Sequence, residues 1–149
     1  MSFADEPFHR RIQTMGDIAE RAFEEVSEVN FVRYGLNRPP LNMASLPLTI
    51  RHTPDYLTSN NLVEVQGLGK DQMLKMKLEK MKALGSWHRM HKVQLFVYDS
   101  TNDRSALIEY NDLQKMCRKA AIESFPEGKQ YYAIPAGLVW VDEPQGNTN

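Results

Sequence analysis

The stretch His52-Thr53-Pro54-Asp55-Tyr56-Leu57-Thr58-Ser59-Asn60-Asn61-Leu62-Val63-Glu64-Val65-Gln66-Gly67 decides the reading of this chain. Thr58-Ser59-Asn60-Asn61 has the residue types of a turn, and Leu62 to Gln66 is a short β-branched strand that ends at Gly67-Leu68-Gly69. Alternate side chains of a strand share a face, so Glu64 and Gln66 point one way and Val63 and Val65 the other. Asp55 lies on the preceding segment and faces Glu64 across the turn as a hairpin neighbour. Two carboxylates that converge from adjacent strands suit a hard divalent cation such as Mg²⁺ or Mn²⁺, which takes oxygen ligands and keeps waters for a substrate phosphate. A bound ion of this kind polarises a phosphoryl oxygen and acidifies an attacking water. The plainer alternative is a surface Asp at a turn and a Glu on an exposed strand face.

Working outward, residues 14–30 read as an amphipathic helix capped by Thr14, with Met15, Ile18, Ala19, Ala22, Phe23, Val26 and Val29 on one face. Asn37-Arg38-Pro39-Pro40 forms a loop, and residues 46–52 read as extended. Residues 70–84 read as a second helix with the stripe Leu74, Leu78, Met81 and Leu84, stopped by Gly85-Ser86. Val93 to Tyr98 is a core strand and residues 99–103 a loop. Asn111 caps a third helix over 112–124, and residues 130–134 and 137–141 are late strands. This order gives a single α/β (α+β) domain, a mixed sheet with helices packed on it. Its expected limits are 14–142, between an N-terminal arm (1–13) and a polar tail (143–149).

A length of 149 residues with 42% hydrophobic and 25% charged residues is that of one ordinary globular domain. No stretch approaches the ~20 apolar residues of a membrane span, and the N-terminus lacks the apolar run of a secretory signal. The one cysteine, Cys117, forms no internal disulfide and agrees with a reducing, cytoplasmic setting (host cytoplasm for a viral protein). Net charge is −1, yet it is unevenly spread. Residues 1–28 carry seven acids against three arginines, whereas residues 69–92 carry seven Lys and Arg against two acids. A basic segment on a neutral protein can draw a polyanion to one face; the alternative is a solvated helix face.

Pro54-Asp55 followed by Glu64-Val65-Gln66 resembles the signature of the Pro-Asp … Asp/Glu-Xaa-Lys nuclease superfamily (the restriction-endonuclease-like fold). That superfamily includes restriction enzymes, phage Holliday-junction resolvases of the endonuclease I kind, and repair nickases. The resemblance covers roughly residues 14–98 and implies a core of helix, three strands, helix, strand. It implies metal binding by Asp55 and Glu64, with the Val65 carbonyl as a further ligand, and a water-orienting role at Gln66. It also implies an acid from the first helix near the metal, matched by Glu20 or, as runner-up, Glu24. Gln66 departs from the pattern, which has Lys there, because an amide orients a water but neither accepts its proton nor supplies charge. Lys77 or Lys70 is the candidate to replace it. Lys75, Lys80, Lys82, Arg89 and Lys92 then serve as phosphate contacts, and Trp87 as a residue that stacks on a base or packs in the core.

The resulting expectation is an Mg²⁺- or Mn²⁺-dependent DNA endonuclease for branched or damaged DNA, acting as a homodimer or as a subunit of a larger assembly. The rival is a non-catalytic nucleic-acid-binding or assembly protein that retains the nuclease fold. The chain has no Gly-rich phosphate loop of Walker spacing and no Gly-Xaa-Ser-Xaa-Gly elbow. His88 and His91 have no further His or Cys beside them for a zinc site.

Overall fold

The computed structural model describes residues 8–35 and 46–140. Three antiparallel strands open the main sheet: β1 (Phe31–Arg33), β2 (Tyr56–Thr58) and β3 (Leu62–Gly67). β5 (Val93–Asp99) runs parallel to β3, and β6 (Arg104–Glu109) closes the sheet as an antiparallel edge, giving the order β1-β2-β3-β5-β6. α1 (Phe8–Val26) precedes these strands, and α3 (Leu78–Met90) lies in the connection between β3 and β5. A parallel pair needs such a crossover. Helix, three strands, helix and parallel strand therefore follow one another along the chain, with a short helix (residues 48–51) inserted after β1 and a strand of a second sheet (residues 73–77) inserted after β3.

Alternation along β3 and β5 divides the interior into two layers. Val63, Val65 and Phe96 face α1 and pack with Ala19, Phe23 and Tyr56. Leu62, Leu95 and Val97 face the other way, among Met81 and Leu84 of α3 and the apolar residues that follow. Each layer removes large side chains from water, the main favourable contribution to folding.

The expected single sheet is in fact two. β4 (Met73–Lys77) leaves the main sheet and pairs with β8 (Gln130–Pro135), which pairs in turn with β7 (Ala121–Ser124). The expected helix over 70–84 is thus a strand followed by α3. Leu74 and Met76 are fully buried at a spacing of two, which fits a strand, although Leu74 also fits the helical stripe that continues through Leu78. Nor does Gly85 stop the helix. It lies inside α3, where a Cβ would stand 2.7 Å from the Tyr110 hydroxyl, so glycine permits the close approach of α4 (Tyr110–Lys119).

Other boundaries differ too. α1 is already helical at Phe8, so Thr14 is not its cap and part of the expected N-terminal arm is helix. Residues 48–51 form a short helix, α2 (Leu48–Arg51), instead of an extended segment. α4 starts at Tyr110 with Glu109 at its N-cap, not Asn111, and its expected last turn is β7. Residues 136–140 are a helix, α5 (Ala136–Trp140), rather than a strand. The Asn37–Pro40 loop and the polar tail lie outside the described residues. No helix among the described residues is long and apolar enough to cross a membrane.

Candidate functional site

The β2–β3 register pairs Tyr56 with Val63 and Leu57 with Leu62, so one further step sets Asp55 opposite Glu64. The turn holding this register is closed by Thr58, whose Oγ1 accepts the N–H groups of Asn60 (3.1 Å) and Asn61 (2.9 Å). Asp55 is pinned from both sides. Its carbonyl accepts the N–H of Tyr34 (2.8 Å) and of Gly35 (3.2 Å), and its Oδ2 accepts the N–H of Val65 (2.8 Å). Gly35 permits this approach, because a Cβ there would stand 3.2 Å from the Asp55 Cα and from the Pro54 carbonyl oxygen. Burial, then the neighbouring Glu64 carboxylate, push the Asp55 carboxyl well above its usual range; the Val65 N–H and Lys80 pull the other way.

Glu64 and Gln66 share the face of β3 that looks toward α3, as the alternation requires. There they meet Lys80, whose Nζ is 2.7 Å from Glu64 Oε2 and 3.1 Å from Gln66 Oε1. The pair is largely hidden from water, at 17% side-chain exposure for Lys80 and 10% for Glu64. Burial works against the ammonium, but Glu64 and Asp55 more than offset it and hold Lys80 above its ordinary value. The other end of the Gln66 amide donates to the Lys75 carbonyl (2.8 Å). Gln66 thus ties β4 to the site and holds Lys80 by its oxygen.

Lys80, expected among the surface phosphate contacts, is therefore the lysine turned inward. Its alignment follows from where the helix starts. Once α3 begins at Leu78, Lys80 falls three and four residues before the buried Ala83 and Leu84. Lys77 lies on β4 with its Nζ 5.7 Å from the Phe125 ring centre, and Lys70 is exposed in the β3–β4 loop. Neither Lys70 nor Lys77 is placed at the carboxylates by any ion pair or hydrogen bond described among these residues.

Glu20 reaches inward from α1 and is buried, with Oε1 3.0 Å from Arg33 Nη1. Its charge also raises the Asp55 carboxyl. Glu24 takes the other guanidinium nitrogen of Arg33 at 2.7 Å and accepts the Tyr56 hydroxyl. Arg33, which no motif singles out, thus clamps Glu20 and Glu24 of the first helix. Among the described residues no three His, Cys, Asp or Glu side chains gather as a metal cage. What Asp55 and Glu64 offer is two adjacent carboxylates facing a single lysine. When both are ionised they carry more negative charge than Lys80 neutralises, in a donor set of oxygens that suits a hard divalent cation completed by water.

The remaining basic residues do not form one stripe. Lys75 pairs with Asp71 at 3.2 Å on the second sheet, while Lys82 lines a 310 Å³ cleft with Arg118 between α3 and α4. Arg89 and Lys92 are exposed at the far end of α3. Trp87 donates its Nε1–H to the Thr49 carbonyl (2.9 Å) and meets Tyr34 edge-on, which fastens α2 to α3. His88 accepts the Val93 N–H and stacks on Tyr110. Burial pushes the Cys117 thiol up to about 11, so it is a poor nucleophile. Compared with known proteins, the chain matches no family model and no curated relative.

Proposed function

We propose that this protein is a divalent-metal-dependent deoxyribonuclease of the Pro-Asp … Asp/Glu-Xaa-Lys kind. One observation carries the reading: a lysine from α3, largely hidden from water, meets Glu64 and Gln66 of β3 beside Asp55. This supplies the positive charge that Gln66 lacks at the motif's third position. The order of helix, three strands, helix and parallel strand in the main sheet, interrupted by α2 and by β4 of the second sheet, supports the same reading.

Asp55 and Glu64 hold Mg²⁺ or Mn²⁺ in this proposal, with the Val65 carbonyl as a further oxygen ligand. Such an ion, when bound, polarises a phosphoryl oxygen and lowers the pKa of a water. Lys80 places its ammonium beside the scissile phosphate and stabilises charge developing there. Gln66 acts through Lys80 as a positioning residue, since its amide is shared between Lys80 and the Lys75 carbonyl. Glu20, held by Arg33, adds negative charge behind Asp55. The substrate is DNA, with branched DNA as the preferred form, and the protein acts in the cytoplasm as a homodimer or within a larger assembly.

The test incubates the protein with plasmid and with a four-way junction, in Mg²⁺ or Mn²⁺ and in EDTA. Metal-dependent cutting that disappears in both Asp55→Ala and Lys80→Met is the expected result. Intact DNA that still shifts on a gel would favour a non-catalytic binder that retains the fold. Neither cutting nor binding would leave a protein adaptor.

A further inference from the structure

On the α1 side of the main sheet, a groove of 420 Å³ opens between the C-terminal end of α1 and the β6 edge. Phe23 and Phe96 form its floor, and Val26, Val29 and Leu107 its walls. Leu107 is the β6 partner of Phe96, so the apolar surface runs from the sheet interior to its edge. Val26 and Leu107 are each 53% exposed. Apolar side chains gathered in a concavity mark an interaction site more often than the same residues scattered singly.

The one charged residue that lines the groove, among the described residues, is acidic. It is Glu28, and Glu109 accepts a hydrogen bond from the wall residue Gln94. No Lys, Arg or His lines it among the described residues. His91 and Lys92 belong to the next depression, beyond Asn60 and Asn61, which Glu109 also lines. Two copies placed groove to groove would set acidic rims against each other, because a two-fold interface brings the same patch from both sides.

We infer that this groove receives a basic segment of a partner protein. The segment seats aliphatic side chains between Val26 and Leu107 and presents lysine or arginine to Glu28 and Glu109. The groove lies on the opposite face of the sheet from Glu64 and Lys80, so the inference stands independently of the nuclease reading.

The test measures fluorescence polarisation of a labelled amphipathic leucine–lysine peptide, with its leucine–glutamate counterpart as control. Three substitutions at exposed positions are compared: Leu107→Asp, Glu28→Lys and, on the second sheet, Ile122→Asp. The expected result is saturable binding of the basic peptide alone, weakened about tenfold by Leu107→Asp and by Glu28→Lys and unchanged by Ile122→Asp. Leu107→Asp adds negative charge, so simple attraction to an acidic surface would strengthen binding there instead. No binding, equal binding of both peptides, or indifference to Leu107→Asp would overturn the inference. So would concentration-dependent self-association on gel filtration that Leu107→Asp abolishes, since a second copy would then be the occupant.

Discussion

Lys80 Nζ stands 2.7 Å from Glu64 Oε2, joining the first turn of α3 to the middle of β3. Removing one member of such a buried pair leaves the other charge unpaired, which destabilises by about 3 kcal/mol. Lys80→Met is therefore expected to lower unfolding free energy by that order in urea titrations. Adding Glu64→Gln should recover most of the loss. Strictly additive losses in the two single variants would mean that the side chains do not interact.

Asp55 gives a pH dependence of known sign. Its carboxyl is raised well above 3.8, so folding favours the protonated acid. That contribution is complete below the ordinary carboxylate range and is lost as pH rises through the raised value. From the ordinary carboxylate range upward ionisation favours the unfolded chain, so Asp55→Asn should raise Tm at neutral pH. The asparagine carbonyl still accepts the Val65 N–H. The advantage should vanish below about pH 4, where the wild-type acid is protonated in both folded and unfolded chains. A variant that is less stable than wild type at pH 7.5 would contradict this.

Asp99 behaves in the opposite sense. Burial opposes its charge, yet hydrogen bonds from Asn102, Arg104 and Gln72 hold its carboxyl down at about 2. A depressed value contributes stability above the unfolded pKa that is lost as pH falls through the folded one. Wild type should lose at most about 2 kcal/mol from this group between roughly pH 4 and pH 2. Asp99→Asn should show that loss already at neutral pH, with a flatter acid limb in pH-dependent urea unfolding.

Gly35 lies against the backbone that carries Asp55, with room for no Cβ without displacement of Pro54 or Asp55. Gly35→Ala should destabilise by roughly 1–3 kcal/mol, the usual range for overpacking. It should also weaken Mn²⁺ binding without touching either carboxylate. Unchanged stability and unchanged affinity would show that the segment yields freely.

The sequence made β3 legible because Val63 and Val65 alternate with Glu64 and Gln66, and only one face of such a strand can carry the carboxylate. The β2–β3 turn was legible from Thr58 to Asn61 for its side-chain chemistry. Residues 73–77 were not, because Leu74 serves a spacing of two and a spacing of four equally well. That ambiguity hid Lys80. A helix begun at Lys70 leaves Lys80 outside its apolar stripe, whereas one begun at Leu78 turns it onto the sheet. β6 escaped notice because Leu107, on its open face, breaks the alternation of buried and polar residues. Gly85 misled for a related reason: glycine ends helices, but it also admits a neighbouring helix, and only the position of Tyr110 distinguishes the two.

In the proposed enzyme Asp55 and Glu64 together take one divalent cation. Calorimetric titration of Mn²⁺ into wild type and into Glu64→Gln tests it without any substrate. One saturable site is expected in wild type, and its loss in a variant that remains folded by circular dichroism. Equal heats and affinities in the two proteins would contradict it.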